Sequence, residues 1–356
     1  MTNNLEKYYK YCSIEGLCAK FVTKLENMEQ ISDNVEWVCQ EKIHGSNFSF
    51  VVTNDDINAE TPSLNVKVGK RSGLIKEDEN FFNWKIIFER YKQDALDVYN
   101  KISKIINCVP YKIQIYGELF GGDYPGTEKK YAHVQKGVYY YDGLDFLVFD
   151  ILVCTEDSSW FSSYDEICVY LENTSNLRQV PLMQKGTFME LIKKSPRFLS
   201  SIPQLYNLPP IDNNYAEGYV MKSNARHVKD AIIRPILENK NNAFSEQVHS
   251  SIKTPAELDV INQHFELAKT YCTKNRFNNL ISKIGPDSKI EKIKGMFVSD
   301  LLADLIKNLD NNCAPSFKQN CGRIKSRMFI YVDDNKLMES WLDEFIKSDE
   351  TLTNTN

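Results

Sequence analysis

The feature that most constrains this fold is a single change of hydrophobic period along the chain. Up to about residue 250, strand-length apolar runs alternate with polar turns and one long helical stretch; beyond it, apolar residues recur at helical spacing. Trp37-Val38 and Phe48-Ser49-Phe50-Val51-Val52 read as strands flanking a compact polar turn that contains Gly45. Residues 80–107 read as a helix, with Trp84, Phe88, Tyr91, Ala95, Val98, Ile102 and Ile105 stepping by four and three along one face. Tyr111 to Phe120, Phe146 to Val153, Tyr219 to Met221 and Ala231 to Leu237 are β-rich, and a loop region rich in Pro and Ser covers roughly 195–214. Then Thr254-Pro255-Ala256-Glu257 forms a capping box with Pro at the first helical position, and Leu258, Ile261, Phe265 and Ala268 follow at helical spacing. Ser299 to Leu309 and Asn335 to Ile346 also read as helices. The expectation is an α+β domain over 1–250, a mainly helical domain over 251–350 and a short disordered tail at 351–356.

With 42% hydrophobic and 26% charged residues, the chain is of ordinary globular composition. A formal net charge of −5 excludes nucleic-acid binding by bulk charge and leaves room for a local basic patch. No apolar run is long enough for a membrane span; Phe146 to Cys154 is strand-length and interrupted by Asp150. The amino terminus, MTNNLEKYYKY, has neither a signal core nor transit-peptide character, so a cytoplasmic protein is expected. Nine cysteines without a C-x-x-C pair read as reduced thiols rather than a zinc site or a disulfide framework.

The sharpest local feature is Glu41-Lys42-Ile43-His44-Gly45-Ser46-Asn47-Phe48, a K-x-x-G set between two strands. The spacing is weak by itself, since Lys70…Gly73 and Lys292…Gly295 repeat it. On spacing alone Lys42 reads as a solvated strand lysine. Its setting offers more: a lysine at a strand end can face a pocket, and the following glycine lets backbone approach a ligand. A lysine that attacks phosphorus must be neutral, and its ordinary pKa of about 10.4 must be lowered by burial, cations or a metal.

The stretch from Lys7-Tyr8 to Phe50, above all Trp37 to Ser49, resembles the amino-terminal part of the RNA ligase 2 family, which includes a phage nick-sealing RNA ligase and the RNA-editing ligases. The family belongs to the covalent nucleotidyltransferases, whose K-x-x-G lysine becomes adenylylated. Four further motifs follow in order: Val68-Gly69-Lys70-Arg71-Ser72-Gly73, Ile115-Tyr116-Gly117-Glu118, Phe146-Leu147-Val148-Phe149-Asp150-Ile151 and Ala216-Glu217-Gly218-Tyr219-Val220-Met221-Lys222. The resemblance covers essentially residues 7–250 and implies a nucleotidyltransferase domain of antiparallel sheets with flanking helices. It implies Lys42 as nucleophile, Glu41, Ile43 and Phe149 around adenine, Glu118 on the ribose, and Arg71 at the sugar and RNA end. Lys222 and Lys240 fall on the AMP phosphate, and Asn47 on phosphate or metal-bound water. Glu217 is the expected metal residue, holding Mg²⁺ through water, with Mn²⁺ as a substitute. His44 either contacts phosphate or fixes the turn. Considered without the ordered set, Glu118 is a β-turn carboxylate, Phe149 a core aromatic and Glu217 a strand-start residue.

One position departs from the family. Its last motif carries K-x-K before N-x-x-F-S-E, and here the matching stretch runs Leu237-Glu238-Asn239-Lys240-Asn241-Asn242-Ala243-Phe244-Ser245-Glu246. Glu238 reverses the first charge. Either it points away, or it binds through Mg²⁺, or Arg234 or Lys222 supplies the missing cation.

The implied reaction is ATP-dependent joining of 3′-hydroxyl and 5′-phosphate RNA ends, nicks in duplex RNA above all, through a lysyl-AMP and an adenylated 5′ end. A monomer is expected. Between Ala268 and Gly295 lie Lys269, Lys274, Arg276, Lys283, Lys289, Lys292 and Lys294, and Lys318, Arg323, Lys325 and Arg327 form a second basic cluster; both could grip duplex phosphates. Against that, residues from Ser251 onward hold fifteen bases and fifteen acids. The tail's place resembles the extra carboxy-terminal domain of phage-type enzymes, which favours a phage- or virus-like branch. The alternatives are another covalent nucleotidyltransferase, such as a DNA ligase or a capping guanylyltransferase, and an RNA-end-binding protein on a ligase scaffold impaired at Glu238. The first usually carries K-x-D-G, where this chain has His44; the second has only Glu238 in its favour.

Overall fold

The computed structural model describes residues 7–17, 22, 25, 30–56, 59, 62–173, 176–231, 234–244, 260–309 and 313–350. It divides into two compact units, Met1–Asn241 and Asn242–Asn356. The expected boundary near Ser250, the capping box at Thr254–Glu257 and the tail at 351–356 lie outside the described residues.

In chain order the strands of the first unit are β1 (Glu15–Gly16), β2 (Trp37–Glu41), β3 (Ser46–Asn54), β4 (Leu64–Lys70), β5 (Gly73–Leu74), β6 (Lys112–Gly121), β7 (Leu144–Cys154), β8 (Ser159–Phe161), β9 (Arg178–Gln179), β10 (Leu182–Gly186), β11 (Gly218–Ser223), β12 (His227–Val228) and β13 (Ile236–Lys240). They form two sheets, one in the order β1-β13-β11-β2-β10 and one in the order β12-β8-β7-β6-β3-β4-β5, with β9 beside β7. All pairs are antiparallel except β1 with β13 and β7 with β9.

The two strands that flank the K-x-x-G turn do not pair with each other. β2 lies between β11 and β10 in the first sheet, and β3 lies between β6 and β4 in the second. Lys42 to Gly45 is therefore a crossing from one sheet to the other. All five residues of β2 are buried, so it reads as a continuous run rather than an alternation.

The long helix α1 (Trp84–Ile106) buries Trp84, Ile87, Tyr91, Ala95, Val98 and Ile102 against Phe48, Phe50, Ile113 and Ile151 of the second sheet. Ile105, expected on that face, is 47% exposed. At 3.6 residues per turn it lies about 60° off the line through Trp84 and Ile102. The strand expected over Ala231 to Leu237 begins only at Ile236 and runs on to Lys240. Pro235 brings no N–H to a ladder, and Arg234 turns inward to an ion pair with Asp150. The Pro/Ser-rich region holds a short 3₁₀ turn, Ile202–Tyr206. The first unit also holds α2 (Tyr164–Leu171) and α3 (Phe188–Leu191), each opened by a capping box, at Ser163 and Thr187.

The second unit is helical: α4 (Val260–Thr270), α5 (Lys274–Ile284), α6 (Ile290–Asn308), α7 (Cys313–Asp334) and α8 (Leu337–Glu350). Phe277, Ile281, Phe297, Leu301, Ile324, Met328 and Phe345 share its core. The helix expected from Asn335 starts two residues later, because Lys336 takes a left-handed φ of 48°. Arg276, counted above among the phosphate-gripping bases, is buried instead. Its guanidinium donates to Asp300 at 2.5 Å, to Asp304 at 2.7 Å and to the Tyr271 carbonyl at 3.1 Å. Lys269 and Lys294 are paired with carboxylates of the same unit. Among the described residues no helix is long and apolar enough to cross a membrane.

Candidate active site

Lys42 leaves the end of β2 with its backbone N–H donated to the Gly218 carbonyl at 2.9 Å. Two glycines make the approach possible. A Cβ on Gly218, whose φ is +147°, would meet the Asn239 carbonyl oxygen at 2.1 Å, and one on Gly45 would meet that of Leu119 at 2.3 Å. The K-x-x-G glycine thus lets the crossing press against β6 beside Glu118.

The Lys42 ammonium enters a closed ring of charges. Its Nζ lies 3.3 Å from Glu217 Oε1 and 3.6 Å from Glu238 Oε2. Lys240 Nζ completes the ring, 3.5 Å from Glu217 Oε1 and 3.5 Å from Glu238 Oε1. His44 Nδ1 sits 3.0 Å from the other Glu217 oxygen, and the His44 N–H donates to the Tyr140 hydroxyl at 2.8 Å. Burial alone would raise the Glu217 carboxyl, but Lys42, His44 and Lys240 hold it well below the ordinary carboxylate range. Burial alone would lower Lys42, but Glu217 and Glu238 outweigh it and raise its pKa. Lys42 is thus held as an ammonium in this arrangement.

Glu118 stands opposite Asn47 in the β3–β6 ladder. Burial pushes its carboxyl up to about 8, against the pull of Lys42 and Arg71. At neutral pH it is mostly protonated and a hydrogen-bond donor. Arg71 occupies the turn between β4 and β5, where the Lys70 and Gly73 pair closes the hairpin. Asn47 Oδ1 is buried without a hydrogen-bond partner. A buried orphan acceptor opposite Glu118 fits a water held by a hydrated divalent cation. Among the described residues no group of three or more His, Cys, Asp or Glu side chains is arranged to hold a metal directly.

Phe149 is placed by a β-bulge. Tyr116 pairs with Asp150 and Gly117 with Val148, so Phe149 is the extra residue of β7. Its ring is partly buried and meets Tyr11 edge-on at 4.9 Å, beside Val220. Lys222 is not in the charge ring. It donates to the Phe149 carbonyl at 2.6 Å and lies 3.9 Å from Asp150, with its pKa lowered to about 8 by burial. Arg234 is bound to Asp150 and to the Tyr11 hydroxyl. Neither of these cations compensates Glu238, which does not point away but faces Lys42 and Lys240.

Ile43 is buried. Glu41 is buried too, and its carboxylate accepts from Ser200 Oγ at 2.6 Å and from Ser201 N and Oγ at 2.8 Å each. Ser200, Ser201, Tyr140 and Tyr11 escaped the sequence reading because each lies far along the chain from the group it holds, in no motif of its own.

Residues 35–237, more than half of the chain, match the family described as RNA ligase. The chain belongs to this family. Residues 256–327 match the family described as T4 RNA ligase 2 C-terminal, which places the chain with RNA ligase 2. Among curated relatives, the mitochondrial RNA-editing ligase 2 of Trypanosoma brucei brucei is 23% identical over 380 residues, covering 91% of this chain and 88% of its own length. RNA-editing ligase 1 of the same organism, also named mitochondrial, is 24% identical over 344 residues, covering 78% of this chain and 71% of its own. A Naegleria gruberi RNA ligase solved with AMP and Mn is similar at a TM-score of 0.40 and 16% identity, covering 66% of this chain. The chain spans little more than half of that structure, 56%.

Proposed function

We propose that this member of the RNA ligase family is an ATP-dependent RNA ligase that joins 3′-hydroxyl and 5′-phosphate ends, with Lys42 as the adenylylated nucleophile. The observation that carries the reading is the ring in which Lys42 and Lys240 face each other across Glu217 and Glu238. It puts a nucleophilic amine beside a second ammonium suited to phosphate.

Lys42 Nζ, once neutral, attacks the α-phosphorus of ATP; the N–P bond forms and pyrophosphate leaves. A 5′-phosphate oxygen of the RNA then attacks the same phosphorus, the N–P bond breaks, and the 5′ end carries AMP. The 3′-hydroxyl attacks the 5′ phosphorus, releasing AMP and closing the phosphodiester. Each step builds charge on non-bridging oxygens, so positioned cations supply most of what the chain contributes. Lys240 stabilises the phosphate, His44 and Glu217 hold Lys42 in place, and protonated Glu118 donates to the ribose. Phe149 stacks on adenine, Ile43 borders it, and Arg71 meets the sugar and the RNA end. Glu41 supports the pocket through Ser200 and Ser201. Lys222, bound to the Phe149 carbonyl, serves the nucleotide by fixing Phe149 rather than by touching phosphate.

Glu217 and Asn47 would hold the waters of Mg²⁺, or of Mn²⁺ in its place, which neutralises charge on the phosphates. The helical unit is the RNA-binding domain in this reading, and nicked duplex the substrate. The curated relatives are named mitochondrial, in contrast to the cytoplasmic placement expected from the amino terminus.

Incubation with α-labelled ATP and Mg²⁺, followed by a denaturing gel, tests the reading. A labelled band in the parent and none in Lys42→Ala supports it. No band in the parent, even after pyrophosphate treatment to strip resident AMP, overturns it.

A further inference from the structure

Glu238 is the one acidic side chain in the ring that the family pattern does not supply. Its two carboxylate oxygens are divided between the two ammonium groups, Oε2 at 3.6 Å from Lys42 Nζ and Oε1 at 3.5 Å from Lys240 Nζ. A phosphate reacting with Lys42 while held by Lys240 would present two non-bridging oxygens to the same pair.

We propose that Glu238 is a built-in competitor for the nucleotide phosphate: it occupies the anion position between Lys42 and Lys240, must swing aside for the phosphate to enter, and so sets how tightly this site holds AMP. The proposal rests on the reading of Lys42 and Lys240 as the phosphate-facing pair and adds to it a residue that weakens binding on purpose.

Three observations support it. The backbone of Glu238 is fixed on both sides, paired with Val220 of β11 and Gly16 of β1 and accepting from Leu17 N–H at 3.0 Å. Only the side chain is left to move. That side chain is 18% exposed, whereas Glu217 is 3% exposed, so Glu238 is the carboxylate of the two with solvent to turn into. The charge count also singles it out: Lys42, Lys240, Glu217 and Glu238 sum to zero, and removing Glu238 leaves a net cation facing an anionic ligand. Two ammonium groups already paired with a resident carboxylate have less to offer a free anion, so Glu238 tunes affinity and release.

The test is AMP affinity, because AMP does not react with the lysine. The full chain, stripped with pyrophosphate, is titrated with AMP by calorimetry, as parent and as Glu238→Gln, with thermal unfolding as the fold check. Glu238→Gln should bind AMP about ten-fold tighter or more, with a steeper loss of affinity as salt rises. Equal or weaker binding by a folded Glu238→Gln overturns the proposal. Should that variant not fold, Glu238→Asp serves: one methylene shorter, its carboxylate bridges the two lysines poorly, and a gain of about three-fold is expected, with no gain overturning the idea. Parent labelling with α-labelled ATP separates the two readings. A parent that never labels while Glu238→Gln still gains AMP affinity loses the ligase reading and keeps this one. A parent that labels while Glu238→Gln gains nothing does the reverse.

Discussion

Glu217 holds Lys42 and His44 at once, with Oε1 3.3 Å from the Lys42 ammonium and Oε2 3.0 Å from His44 Nδ1. One buried carboxylate therefore orients both the candidate nucleophile and the histidine two residues along. It sits immediately before β11, about 175 residues downstream. The turn carrying Lys42 is shaped by its own sequence but held by a distant strand.

Lys42→Ala should abolish AMP labelling while costing little stability, because Glu217 keeps Lys240 and His44 as partners. A loss below about 2 kcal/mol in urea unfolding is expected. Residual labelling at an unchanged rate would show that another residue carries the AMP.

Glu217→Ala should be the more damaging change. It leaves the Lys42 and Lys240 ammonium groups and His44 around a buried gap, with only Glu238 to offset the two lysines, and should cost roughly 3 kcal/mol of stability together with at least a hundred-fold loss of adenylylation. Normal unfolding with normal labelling would mean that the ring does not organise the site.

Phe149→Ala should raise the KM for ATP in adenylylation about ten-fold, with a smaller effect on kcat, since a stacking surface is worth roughly 1–3 kcal/mol. The bulge keeps the backbone position, so the secondary structure should survive. An unchanged KM would place adenine elsewhere.

His227 offers a pH test of the fold. Burial, reinforced by Arg234 and Lys222 and opposed by Asp150, lowers its pKa to about 4. The folded state refuses a proton that the unfolded chain accepts near pH 6.5, so this contribution is present above pH 6.5 and lost as the pH falls toward 4. Its full size is at most about 3 kcal/mol, reduced by the exposed part of the ring. His227→Gln should lose less stability than the parent between pH 7 and pH 4.5, and equal losses in urea titrations would contradict this.

Deletion after Asn241 should spare Lys42 labelling, because the apolar clusters of the first unit are its own. It should weaken binding to nicked duplex RNA and flatten the salt dependence of what binding is left. Unchanged sealing by the shortened chain would remove the RNA-gripping role from the helical unit.

Much of this was legible in the residues. The α1 stripe and the helical second unit follow from a helical period, because burial on one face forces a period of 3.6, and the strands over 112–121 and 144–154 follow from β-rich runs that are buried on both faces. The motif order pointed to Lys42, Glu217, Lys240 and Glu118, and the ladders bring them to one place. Lys222 and Arg276 went the other way. Nothing in a linear pattern says that a strand lysine will be taken by the carbonyl of Phe149, or that a helix arginine will turn inward to Asp300 and Asp304.

By itself the sequence determined the elements, the glycines at 45 and 218, and the set of charged groups available for phosphoryl chemistry, since these are properties of short stretches. Only the tertiary structure decided that β2 and β3 part into different sheets, that a bulge re-aims Phe149, and that Glu238 turns toward Lys42 and Lys240. The physical reason is range. Local dihedral preference and hydrophobic period act over a few residues, whereas strand pairing and the compensation of buried charge join groups up to about two hundred residues apart.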